Sequence, residues 1–182
     1  MATYNSTQAG PTKQPNASGW RGQKQVAVGT IPDVSAAAGT ATVTTGPVAG
    51  DIYRMVKVPK GAIVTGGRVF GSRMSSGTSY GSSSLSFNCG FSGAIKTLAG
   101  VSYGATTTSN ALGAINPAYA AVSGVISESG LDHLLGGLLY TVGPLEVTED
   151  QFVQLTVTGT AVSFVSAGCL SLEVEYYMGI HA

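Results

Sequence analysis

The sequence predicts an all-β fold, an antiparallel β-sandwich or barrel preceded by an extended amino-terminal arm. Three observations predict it. The 182 residues include 26 Gly, 20 Ser and 19 Thr, a composition that favours turns and strands and disfavours long helices. From Val26 onward, short runs of alternating apolar and polar residues are separated by Gly and Pro. No regular succession of strand and helix patterns accompanies them, so a parallel α/β architecture is not indicated. The length fits one domain plus an ordered arm.

Taken in order, residues 1–25 hold almost no aliphatic side chains and include Gly10, Pro11, Pro15, Gly19 and Gly22. They read as an arm without a core of its own, and residues 26–182 as the sandwich domain. A polar arm stays mobile unless something ties it down, and the expected tie is another chain. Tyr4, Lys13, Trp20, Arg21 and Lys24 are the candidate partner-binding residues. Trp20, the single tryptophan, beside Arg21 suits an anchor in a partner's pocket, or equally a lid on the domain's own core.

Strands are expected at residues 25–31, 40–44, 51–58, 62–71, 83–91, 121–127, 138–142, 151–158 and 163–177. Pro59-Lys60-Gly61 marks a tight turn between two of them. The alternation is clearest at the end, where Val153, Leu155 and Val157 share one face and Gln154, Thr156 and Thr158 the other. Beyond Gly159, Leu170, Leu172, Val174 and Tyr176 again oppose Ser171, Glu173, Glu175 and Tyr177, which reads as a half-buried hairpin. Helical turns are expected within residues 110–119 and at residues 131–135. Gly66-Gly67 marks a bulge or a close backbone approach, and residues 72–86 a serine-rich loop or edge strand.

Charged residues make up only 10% of the chain, so much of its surface must be Ala, Ser, Thr and Gly, which suits burial against neighbours. All nine basic residues lie between Lys13 and Lys96, and seven of the nine acidic residues follow them. Either strands of the two halves neutralise each other within a sheet, or copies of the chain meet positive surface on negative. The basic residues are scattered singly, so nucleic acid is not an expected partner. Mean hydropathy is +0.25, but no apolar run is long enough for a spanning helix and the first residues lack the pattern of a secretory signal. No membrane association is expected. Cys89 and Cys169 are expected to be buried free thiols.

The search for chemistry yields little. Gly77-Thr78-Ser79-Tyr80-Gly81 fits the nucleophile-elbow pattern, but the strand, sharp turn and helix it requires are missing, and no spacing joins it to His133, Asp132 or His181. His and Cys show no zinc-type pairing. Glu146, Glu149 and Asp150 lack the alternation of a calcium loop and read as a solvated turn. Glu173 and Glu175 share a strand face, as paired acids of a glycosidase might, but balance against Lys57 or Arg54 across a sheet explains them as well. No P-loop is present. No catalytic residue, cofactor or metal is therefore expected.

One stretch does carry a likeness. Gly50-Asp51-Ile52-Tyr53-Arg54-Met55-Val56-Lys57-Val58-Pro59-Lys60-Gly61-Ala62-Ile63-Val64 resembles a segment of small structural proteins of tailed bacteriophages, in which such a strand precedes a polar, Gly-rich region. The closing strands, from Leu155 to Gly159 and from Leu172 to Gly179, are similar too, so the resemblance covers residues 48–180. It implies a jelly roll or related sandwich that assembles as a homo-oligomer, a trimer above all. It further implies a virion component made in the host bacterial cytoplasm: a capsid decoration (cement) protein, a head fibre, or a tail- or neck-associated protein. Its partners would be the major capsid protein or neighbouring virion subunits. A rival of another class is a carbohydrate-binding sandwich, with Tyr53, Tyr80, Tyr103 and Tyr119 as the available rings.

Overall fold

A computed structural model of the chain describes residues 3–6, 24–31, 49–71, 86–104, 108–115, 131–158 and 170–178. Its strands in chain order are β1 (Thr3–Asn5), β2 (Lys24–Ile31), β3 (Ile52–Val58), β4 (Ala62–Gly71), β5 (Phe87–Phe91), β6 (Ile95–Thr97), β7 (Ser102–Tyr103) and β8 (Gly113–Ile115). They continue with β9 (Leu131–Leu134), a single helical turn α1 (Leu138–Val142), β10 (Leu145–Val147), β11 (Gln151–Val157) and β12 (Leu170–Met178).

Period-two alternation forces each strand to present an apolar face, and two such faces meet to form the core. One sheet has the order β2-β12-β4-β10, extended by β6 and β7, with β9 paired to the other half of β4. The second has the order β3-β11-β5-β8, with β1 on the outer edge of β3. Along the chain β2, β3, β4 and β5 alternate between the sheets, β8 stays beside β5, and β10, β11 and β12 alternate again; two interleaved four-stranded sets in this order make a jelly roll. Among the described strands all pairings are antiparallel except β1 on β3. The final strand follows its pattern except at one position: Leu170, Leu172, Val174 and Tyr176 are buried and Glu173, Glu175 and Tyr177 are half-buried between them, but Ser171 is buried too, its hydroxyl 2.9 Å from that of Thr30. Tyr53 and Phe87 meet edge to face in the core, centroids 6.2 Å apart.

Several local expectations are corrected. Residues 151–158 and 170–177 do not form a hairpin: β11 pairs with β3 and β5, whereas β12 pairs with β2 and β4. Alternation reports which residues face inward, not which sheet supplies the partner. The turn at Pro59-Lys60-Gly61 is present, closed by the Ala62 amide on the Pro59 carbonyl at 3.2 Å with Gly61 at φ 79°, and it links the two sheets as a corner. Residues 138–142 are helical rather than extended. Gly137 and Gly143, at φ 61° and 81°, break the strand on both sides, and the Leu138 amide is held by the Ala111 carbonyl at 2.8 Å.

Residues 131–134 form a strand because they pair with Arg68–Gly71, not a helical turn. The Ala-rich segment near residue 110 makes a turn and then β8. The short strands β1, β6, β7 and β10 were not anticipated, since two or three residues carry no readable period. The expected strands at 40–44 and 121–127 and the tract at 72–85 lie outside the described residues.

Both sheets are bulged where close approach demands it. In β4, Gly66 opposes Glu175 and Val64 opposes Tyr176, leaving Thr65 as the extra residue. At the neighbouring Gly67 a Cβ would run into the Glu173 carbonyl, so the Gly66-Gly67 pair is both a bulge and a close approach. In β3, Val56 opposes Val153 and Arg54 opposes Gln154, leaving Met55 as the extra residue.

Candidate subunit-contact surfaces

The Met55 bulge builds the most specific feature at the molecule's edge. Because Met55 has no register partner on β11, its carbonyl turns toward the start of the chain, where the Ser6 hydroxyl donates to it. The Ser6 amide donates to the Arg54 carbonyl at 2.8 Å, completing a parallel pairing in which Thr3, Tyr4 and Asn5 oppose Ile52, Tyr53 and Arg54. Gly29 of β2 closes the third side. A Cβ there would collide with the Met55 carbonyl and come within 2.7 Å of the Ser6 hydroxyl oxygen. Ser6, Gly29 and Met55 thus form a notch that receives the first residues of the chain, and Ser6 is buried in it.

The arm residues singled out from sequence fall in different places. Tyr4 lies in β1 and Lys24 in β2. Lys13, Trp20 and Arg21 lie outside the described residues. Lys24 Nζ is 2.7 Å from Glu175 Oε1, and this bond holds the lysine pKa above its ordinary value. Ser6 and Gly29 went unmarked, because a serine in a polar segment and a glycine in a strand carry no signal until their neighbours are known.

Part of the uneven charge along the chain is neutralised within one sheet. Lys24 pairs with Glu175, Arg68 with Glu173 at 3.6 Å, and Lys96 with Glu146 at 3.0 Å. Each joins a base from the first hundred residues to an acid from the remainder, and the last two are direct cross-strand partners. Glu173 and Glu175 are therefore balanced by Arg68 and Lys24. Lys57 and Arg54, the partners expected from sequence, stand on the opposite sheet, where Arg54 lies over the Phe152 ring at 4.8 Å. Asp150 accepts from the Lys60 amide at 2.8 Å. Among the described residues no three His, Cys, Asp or Glu gather into a metal site. Cys89 is a buried free thiol, its pKa pushed far up by desolvation; Cys169 lies outside the described residues.

Several large apolar side chains are exposed as well. On the outer side of β2, Val26 and Val28 are uncovered, and the β6–β7 turn presents Leu98 and Val101. The two most exposed, Leu134 at 67% and Tyr140 at 80%, lie close in sequence with Val142 at 40%, at and after the end of β9. Single exposed aliphatics are ordinary, but three large exposed side chains within nine residues of chain make this segment the candidate for contact with other surfaces. Of the tyrosines considered as sugar platforms, Tyr53 is fully buried and Tyr103 is half-buried; Tyr80 and Tyr119 lie outside the described residues. Among the described residues Tyr140 is the exposed ring, and the sequence pattern suggests a strand there.

Set against known proteins, the fold has counterparts in two phage capsid structures. It is similar to a chain of the capsid of Ralstonia phage GP4 with a TM-score of 0.64 at 12% identity, covering 97% of this chain and 98% of that one. It is also similar to a chain of the cyanophage Pam1 capsid asymmetric unit, with a TM-score of 0.54 at 19% identity over 88% of each. At these identities the likeness is one of fold. No family model matches the chain, and no curated protein sequence does.

Proposed function

We propose that this chain is a non-enzymatic structural protein of a tailed-bacteriophage virion, a decoration (cement) protein that stabilises the assembled head shell. The observation that carries the reading is the extent of the fold likeness: 97% of this chain aligns with 98% of a chain from a phage capsid, with neither having a large domain left over. The exposed Leu134, Tyr140 and Val142 and the scarcity of charge supply surface suited to permanent cover. On this reading the protein acts as a homo-oligomer, a trimer, on the capsid surface. Its partners are the major capsid protein and neighbouring subunits, and the residues ahead of β2, 1–23, form the docking arm. It needs no cofactor, nucleic acid or membrane. Binding the assembled shell in preference to free subunits would stabilise the shell by mass action, and many copies would turn weak contacts into strong collective binding.

Density or labelled antibody on an intact particle tests the assignment. Label spread over the head supports decoration; label confined to neck, tail or fibres assigns the chain there instead. Removing residues 1–23, which leaves β2 whole, should abolish particle binding while preserving the sandwich. Full occupancy by the truncated protein would refute the role given to the arm.

A further inference from the structure

We propose that β1 is an exchanged strand: in the assembled protein, residues 3–6 of one copy occupy the β3 edge and the Ser6 notch of a neighbouring copy. The inference deepens the assembly reading above and rests on it, since exchange needs a neighbour.

The acceptor is specific. Its parts are the β3 edge that aligns Thr3, Tyr4 and Asn5 with Ile52, Tyr53 and Arg54, the bulge that presents the Met55 carbonyl to the Ser6 hydroxyl, and the absent side chain of Gly29. Nothing in that site records whose β1 fills it. The strand sits on the outer edge of its sheet, so another copy's strand can enter from outside without opening the core.

The connection is permissive. Seventeen residues separate Ser6 from Lys24, among them Gly10, Pro11, Pro15, Gly19 and Gly22, and no Val, Leu or Ile. At the extended limit of the backbone such a segment spans at most ~60 Å, enough to reach an adjacent domain of this size. Because the bonds made are identical in the closed and exchanged forms, the balance between them is set by loop closure against the effective concentration of neighbours. Packing copies side by side raises that concentration and favours exchange, which fastens each copy to the next by a strand as well as by surface contact.

Cross-linking reads this directly. In the full-length chain, Thr3→Cys combined with Ile52→Cys places thiols on register partners, and Asn5→Cys with Arg54→Cys is a second, independent pair. The four single variants control for the native thiols. After mild oxidation at high concentration, denaturing electrophoresis without reductant is run beside a light-scattering mass for the same sample. Expected is an oligomeric mass and a ladder of covalent multimers that collapses to one band on reduction. An oligomeric mass with only intramolecular bonds overturns exchange and leaves the assembly reading standing. No bond in either pair overturns it too, because β1 would then not lie on β3 of any copy. A monomeric mass at the highest concentration refutes homo-oligomerisation, and exchange falls with it.

Discussion

The hydroxyl of Ser6 donates to the main-chain carbonyl of Met55, 49 residues away in the chain, and this bond joins the start of the polypeptide to the bulge in β3. Both groups are buried, so removing the donor leaves an acceptor with no access to water. Ser6→Ala should therefore lower stability by about 1–3 kcal/mol, read as a shift in the urea midpoint with an unchanged slope. Amide exchange at Thr3–Asn5 should quicken at the same time. An unchanged midpoint would mean that the notch contributes no stability.

Gly29 tests the same notch from the other side. A Cβ at this position meets backbone rather than a movable side chain, so Gly29→Ala must displace β2 from β3, at a cost of about 1–3 kcal/mol or more. Gly104→Ala is the comparison, because a Cβ there has open space around it and should change stability by less than about 0.5 kcal/mol. Equal melting temperatures for the two variants would contradict the packing described at Gly29.

The difference between these two glycines marks where sequence stops being informative. The inward faces of β11 and β12 were legible because period-two alternation is a local consequence of the pleat, and the corner at Pro59-Lys60-Gly61 because turn chemistry is local. Pairing is not local. The assignment of β11 and β12 to opposite sheets depends on which distant strands offer a free edge, and so do the partners of Glu173 and Glu175. The helical turn at Leu138–Val142 was misread because its run of apolar residues fits a strand equally well, until Gly137 and Gly143 adopt positive φ. The contact surface shows the same limit. Scarcity of charge announced that neighbours are expected, but Leu134 and Tyr140 could be recognised as exposed only once β9 and the helix were placed.

Lys24 gives a pH signature. Its bond to Glu175 raises its pKa in the folded chain above the ordinary 10.5, so the folded state holds the proton more tightly than the unfolded state does. The stabilisation is then fully present below pH 10.5 and is lost as pH rises through the folded value. Lys24→Met should melt slightly below the parent protein at neutral pH, and the gap should close in the alkaline range and in high salt. A gap that widens with pH would reverse the sign argued here.

Cys89 should be chemically silent in the native state. It lies at the centre of the core with no exposure, and burial holds its thiol well above the range in which a thiolate forms. Peptide mapping after alkylation at pH 8 should find Cys89 unmodified in native protein and fully modified in denaturant. Substantial native labelling would mean that β5 opens far more often than a strand flanked by β11 and β8 should.

Leu134 and Tyr140 separate folding from assembly. Neither helps to close the core, since both project into solvent, so Leu134→Lys and Tyr140→Ser should leave the melting temperature within the narrow range of ordinary surface changes, about 0.5 kcal/mol. If the patch is covered in the particle, the same substitutions place a charge, or remove an aromatic anchor, at a desolvated contact, where the loss is about 2 kcal/mol or more per site. Repeated over many copies, a loss of that size should strip the protein from its shell at concentrations where the parent saturates it. Particle occupancy measured by sedimentation, beside thermal melts of the free protein, separates the two effects. Unchanged occupancy would show that the patch faces solvent in the particle too, and would move the contact surface to the opposite sheet, around Arg54 and Phe152.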